Sequence, residues 1–263
     1  MNKVSRFHLL LIFLGGLVLL FIIAPLAGLF FNTSPKDISD SITDKEVSKS
    51  IWLTLLSAMA ATLFFSMLAI PLAYILAKKS FPLKRLVNGI IDLPIVIPHS
   101  AAGIAILGVI SQQSFLGSSL SKLGLNLVGH PVGISLAMAF VSIPFLINAA
   151  REGFASVPDR LEKAALTLGA SQMRVFFTIS LPLAWRGIIS GLVMMFARGM
   201  SEFGAVIIIA YHPMITPILI FERFNAFGLK YARPVAVLFI IVCLLFFIMM
   251  RLLTKEKKNV SNN

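Results

Sequence analysis

The chain has 263 residues, 58% of them hydrophobic and 13% charged, with a mean hydropathy of +0.93. Soluble domains run near half apolar and a quarter charged, so water is not the main solvent of this chain. The net charge of +12 does not require nucleic acid, because a membrane protein that keeps its basic loops on one side reaches that balance unaided.

A helix that crosses the hydrocarbon core needs about 20 mostly apolar residues, since every backbone group must be hydrogen-bonded within the segment. Six stretches meet or approach that requirement: 9–31, 51–77, 86–110, 131–150, 187–211 and 234–253. The expected fold is therefore all-α, a polytopic bundle of six transmembrane helices. Lys3 and Arg6 precede the first stretch, but its apolar run is far longer than the ~7–15 residues of a signal-peptide core. It is expected to be a retained helix.

The 32–50 connection carries Asp37, Asp40, Asp44 and Glu46 against three lysines and reads as a polar loop with room for a short surface helix. The second stretch contains Pro71, the third Pro94 and Pro98, and the fourth Pro144. Proline removes a backbone donor and opens the turn before it, so a neighbouring helix or a cavity must satisfy the freed carbonyl. In the third stretch the two prolines lie four apart and are followed by His99, Ser100, two alanines and Gly103. Two readings stand: a broken helix that lines a cavity with Pro94, Pro98 and Ser100, or a kinked helix packed on its neighbours.

The 151–186 segment contains a well-bounded helix. Ser156 is placed to cap its start, Pro158 suits the first turn, Asp159 complements the positive end of the dipole, and Gly169 can end it. Leu161, Ala164, Ala165 and Leu168 fall on one face. Alanines in that stripe let a second surface approach closely, which points to docking. The chain restarts at Ser171 and enters the fifth stretch through Ile179-Ser180-Leu181-Pro182.

Within the fifth stretch, Arg198 and Glu202 stand in an apolar run together with Ser201 and Gly204. Charges at membrane depth cost several kcal/mol and persist when they pair or line a pathway. Spaced i and i+4, these two can pair as a clasp. Alternatively Arg198 is only partly neutralised and offers a guanidinium fork suited to a tetrahedral oxyanion. Asp92, near the start of the third stretch, is expected at an interface or beside Arg198, since an acid would repel an anion.

Fifteen of the 23 Lys and Arg residues fall in one alternating set of loops and seven in the other. The richer set holds both termini, the 78–85 connection and the 151–186 segment, so these are expected in the cytoplasm. The whole of 1–263 then forms a single membrane domain with a cytoplasmic loop at 151–186. Cys243 is the single cysteine, and His8, His99, His130 and His212 are scattered without metal-site spacing. No metal site, no catalytic constellation and no G-x-x-x-x-G-K-[ST] phosphate loop is present, so the chain is read as a non-enzyme that relies on a partner for energy.

Glu162, Ala164-Ala165, Gly169 and, after nine residues, Ile179-x-Leu181-Pro182 resemble the EAA loop of ABC importer permeases. In that family the loop forms a coupling helix seated in a groove of the ATP-hydrolysing subunit. The resemblance assigns Glu162, Lys163, Ala164, Ala165, Leu168 and Gly169 to coupling, with one departure: Lys163, not an acid, directly precedes the two alanines. The run from Ala197 to Val206, with Ala210-Tyr211-His212-Pro213-Met214, Phe221-Glu222-Arg223-Phe224 and Ala232-Arg233-Pro234-Val235-Ala236, resembles the permeases of molybdate/tungstate importers. That resemblance implies a permease homodimer embedded in membrane lipid, two ATP-binding subunits carrying ATP and magnesium, and an extracellular substrate-binding protein. It implies no cofactor in this chain and no nucleic acid. Sulfate or thiosulfate permeases share a similar Glu-aromatic-Gly signature and form the alternative substrate class. A proton-coupled secondary transporter would explain Arg198 and Glu202, but not the docking helix.

Overall fold

The computed structural model describes residues 6–253. Lys3 and the 255–263 tail, which carry part of the expected cytoplasmic charge, lie outside the described residues. Thirteen α-helices, one π-helical turn and no strand occur among the described residues.

Helix α1 (Arg6–Phe31) is apolar on every side, and none of its most apolar window is buried within the chain. Such a helix faces lipid or another chain. The 32–50 connection folds as the short surface helix α2 (Pro35–Thr43), and Asp44 then caps the 34-residue helix α3 (Lys45–Lys78) by accepting from the amides of Glu46 and Val47. At 1.5 Å per residue α3 is about 50 Å long, enough to cross the bilayer and project beyond it.

The third stretch is broken, not merely kinked. Helices α4 (Lys84–Val96) and α5 (His99–Ile110) meet at 112°. Pro98 has no amide to continue the ladder and holds Ile97 in an extended conformation, ψ 146°. After α6 (Phe115–Lys122), helix α7 (Pro131–Ala155) runs through the middle of the bundle with 56% of its apolar window buried. The short α8 (Asp159–Thr167) lies at one end of the bundle.

The fifth span departs from its expected limits of 187–211. It runs from Gln172 to Met200 as one 29-residue element: α9 (Gln172–Val175), a π-helical turn (Phe176–Ser180) and α10 (Leu181–Met200). The wide turn lets the ladder pass Pro182, whose ring would otherwise clash with the preceding turn. The chain then breaks at 201–203, and the remaining apolar residues form the separate α11 (Gly204–Ile209). Helices α12 (Thr216–Phe227) and α13 (Leu229–Leu253) complete the chain. Five helical elements are long and apolar enough to span a membrane, and six when the bent α4–α5 pair counts as one.

The core forms where α7 packs on α3 and α10, around Met138, Leu146, Phe154, Ile188, Met195 and Phe196. Backbones meet directly where α7 crosses α10: a Cβ placed on Gly187 would lie 2.7 Å from the Cα of Gly153. Small residues at such a crossing gain dispersion contact that bulkier ones would prevent. Buried hydroxyls tie α12 to α3, with the Thr216 amide donating to Thr54 Oγ1 at 2.8 Å and Ser50 Oγ 3.3 Å from Thr216 Oγ1.

Candidate functional site

Two clusters hold the residues singled out by sequence. The first surrounds α8. Its end is a full Schellman motif: the Ala170 amide donates to Ala165 O and the Gly169 amide to Leu166 O, both at 3.0 Å, with Gly169 at φ +87°. Its start differs from expectation. Ser156 does not cap α8; it closes α7, donating its Oγ to Gly153 O at 2.7 Å. Val157 and Pro158 intervene, and Pro158 takes the N-cap position without a side-chain bond. Ser171 caps the next helix, accepting from the Arg174 amide at 3.2 Å.

No residue of α8 is buried. Leu161, Lys163, Ala164 and, just past the helix, Leu168 are exposed, whereas Ala165 is half-covered. Glu162 faces the other way, into the spans, with 12% of its side chain exposed. Its Oε1 accepts from Ser180 Oγ at 2.6 Å and lies 3.5 Å from Lys78 Nζ. Lys78 in turn donates to Val157 O at 2.6 Å and to Asp159 Oδ1 at 2.7 Å. The Lys78 hydrogen bond and charge hold the Asp159 carboxyl below its ordinary range. Under this knot the rings of Tyr74, Phe154 and Phe176 pack with centroids 5.0–6.0 Å apart. Sequence reasoning missed Lys78, which entered only as a loop charge, because nothing local links it to residues some 80 positions on.

The second cluster lies where two helix breaks meet. Arg198 and Glu202 pair as their spacing allowed, Nη2 to Oε2 at 3.0 Å. They sit at the end of α10 and in the break beyond it, not in the middle of a span. A third member, His99 at the start of α5, joins them. Its Nδ1 lies 2.8 Å from Glu202 Oε2, and Arg198 Nη2 lies 2.8 and 2.9 Å from the two ring nitrogens. Read as one of four scattered histidines, His99 gave no sign of this role. Glu202 is fully buried and its other oxygen accepts the Ala205 amide at 2.8 Å. Arg198 keeps 23% of its side chain exposed and also donates to Ser201 Oγ at 3.3 Å. The cluster thus buries its anion fully and leaves its cation partly exposed.

Gly204 lies against His99, and Pro98 forms the α4–α5 break beside it. Ser100 is exposed next to the cluster, while Pro94 is buried in the last turn of α4, just before the break. Asp92 does not partner Arg198. It accepts from Asn148 Nδ2 at 2.7 Å, tying α4 to α7 alongside the Arg151–Asn88 bond of 2.9 Å.

At the opposite end from α8, Arg223 of α12 donates to Asp44 Oδ2 at 2.5 Å and Glu46 Oε2 at 3.2 Å. Burial pulls the Asp44 carboxyl upward, but Arg223 and the Glu46 and Val47 amides outweigh it, and the group sits below its ordinary value.

Residues 69–259 match the family model described as binding-protein-dependent transport system inner membrane component. The chain is 40% identical over 246 residues to a molybdate/tungstate transport system permease protein of Thermococcus kodakarensis, a match covering 93% of this chain and 94% of that one. It is 30% identical over 234 residues to a probable sulfate transport system permease protein of Nephroselmis olivacea, covering 86% and 82%. Among solved structures it resembles, at TM-score 0.74 and 17% identity, a chain of a bacterial ABC transporter involved in the import of the acidic polysaccharide alginate, with 98% of each chain covered. That last likeness concerns the fold.

Proposed function

Because this chain belongs to the family of binding-protein-dependent transport inner membrane components, we propose that it is the permease subunit of an ATP-driven importer of molybdate and tungstate. It is a multi-pass inner membrane protein. In this reading two copies form the pathway, two ATP-binding subunits dock on the cytoplasmic side through α8, and an extracellular binding protein delivers the oxyanion. The chain has no ATPase site or cofactor of its own; ATP and magnesium belong to the partner subunits. The 151–186 loop and both termini are then cytoplasmic.

The observation that carries the reading is the state of α8. A nine-residue helix with a formed C-terminal motif and no buried residue presents Leu161, Ala164 and Leu168 to a partner while Glu162 anchors it from behind. Isolated helices this short are marginal in water, so docking is what its exposed apolar residues are suited to.

The pathway assignment rests on the second cluster. Along α10 and just past it stand the exposed Ser190 and Ser201 and the partly exposed Arg198, and α5 exposes Ser100, Ala101, Ala105 and Gly108 beside the apolar Ile104 and Val109. Polar atoms at this depth need protein or water as partners. Arg198 of each copy attracts the dianion, and Glu202 beneath it keeps the site from holding the anion too tightly to release. Pro98 and Gly204 let the two helix breaks approach.

The test is reconstitution of the full chain with its ATPase and binding protein in proteoliposomes. ATP-dependent tungstate uptake is expected, and Arg198→Gln is expected to lower uptake with the complex still assembled. Uptake of sulfate alone would move the protein to the sulfate class that its relative represents. Uptake driven by a proton gradient without ATP would overturn the importer reading.

A further inference from the structure

The weak attachment of α8 poses a physical question: what carries a push on this helix to the spans? No residue of α8 is buried, so apolar packing is a poor candidate. The polar contacts are few and specific. Lys78 ends α3, has 7% of its side chain exposed, and meets Val157 O at 2.6 Å, Asp159 at 2.7 Å and Glu162 at 3.5 Å. Glu162 meets Ser180, in the π-helical turn before α10, at 2.6 Å.

We propose that Lys78 is a positioning residue that links the docking helix to α3 and, through Glu162, to the π-helical turn of the fifth span, so that movement of α8 is delivered to both spans together. The inference rests on the reading of α8 as the ATPase-docking helix. A desolvated ammonium is stable only while its acceptors stay in place, because losing one leaves an uncompensated charge. The link therefore resists separation of α8 from α3 and passes force instead of yielding. Asp159 and Glu162 both lie in the first turn of α8, where negative charge also suits the helix dipole. One lysine thereby fixes both the position and the direction of the helix start. The acid of the Glu162-Lys163 pair serves this internal link, and the exposed charges next to it are Asp159, Arg160 and Lys163.

The experiment uses the complete complex in proteoliposomes and reads three quantities: permease in the membrane, ATPase retained per permease, and tungstate moved per ATP hydrolysed. Lys78→Met is expected to retain the ATPase and lower tungstate per ATP by about ten-fold, the size of effect seen when coupling residues are altered, with Lys78→Arg restoring most of it. If Lys78→Met does not accumulate, Glu162→Gln decides, since Gln can keep the Ser180 bond while removing the charge that faces Lys78. A wild-type ratio of tungstate to ATP in Lys78→Met, or in Glu162→Gln where that is the deciding variant, overturns the proposal. Failure of the unmodified permease to bind any ATPase would instead overturn the underlying reading of α8, so the two failures are distinct.

Discussion

Gly204 sits so close to His99 that a Cβ on the glycine would lie 2.7 Å from the histidine's own Cβ. The two helix breaks approach nearer than any other residue pair at that position would permit. Gly204→Ala is expected to destabilise the protein by about 1–3 kcal/mol through overpacking. Gly103→Ala should cost at least as much, since its Cβ would meet the Ala205 carbonyl oxygen at 2.8 Å, and backbone cannot swing aside. Thermal unfolding in detergent checks both; unchanged midpoints would mean that the breaks can separate freely.

Gly169 presents the opposite case. Nothing lies within 4 Å of the place where its Cβ would stand, yet its φ is +87°. Space is available and conformation is not. Gly169→Val is expected to cost about 1–2 kcal/mol at the end of α8, enough to disturb its docking, while Gly169→Asn is better tolerated. Tungstate uptake per ATPase bound distinguishes them, and equal uptake by the two variants would show that the left-handed turn does not matter.

Ala164 is exposed on α8 beside Leu161. Ala164→Glu should abolish co-purification of the ATPase, because a carboxylate pressed into an apolar groove loses its water without gaining a partner. Ala164→Ser should retain it. Recovery of a full complement of ATPase with Ala164→Glu would place the docking surface elsewhere.

The Asp44–Arg223 tie predicts a pH dependence with a definite sign. Asp44 has a folded-state pKa below its ordinary 3.8, so its stabilising contribution is present above that value and is lost as pH falls through the folded pKa. The difference in thermal midpoint between the wild type and Arg223→Gln should be constant at neutral and mildly acidic pH and shrink once the pH drops below 3.8. A difference that persists or widens in acid would contradict this assignment.

Most of the fold was legible because membrane crossing imposes long apolar runs, and Pro98 and Gly169 act through their own backbones. The pair of Arg198 and Glu202 was legible because its partners stand four residues apart, although Glu202 lies in the break beyond α10. His99 and Lys78 were not, since their partners lie 99 and 81 residues away respectively and meet them only through packing. The end of the fifth span was misread because the apolar run resumes at Ala205–Ile209 after Glu202, whereas the chain ends α10 at Met200. Glu202 turns inward there to accept the Ala205 amide, a choice that hydropathy does not register.

The Gly153–Gly187 crossing has a mechanical consequence. Side chains can change rotamer to absorb a displacement, but here main chain rests on main chain, and a Cβ on Gly187 would also lie 2.9 Å from Ala149 O. The crossing therefore resists a change in the spacing of α7 and α10 there, because close-packed main chain transmits strain instead of absorbing it. α8 and Lys78 lie on one side of this point, and the His99, Arg198 and Glu202 cluster lies far along α10 on the other. Rearrangement of the spans is therefore expected to keep α7 and α10 together at this crossing, so that the docking end and the helix breaks belong to one rigid pair.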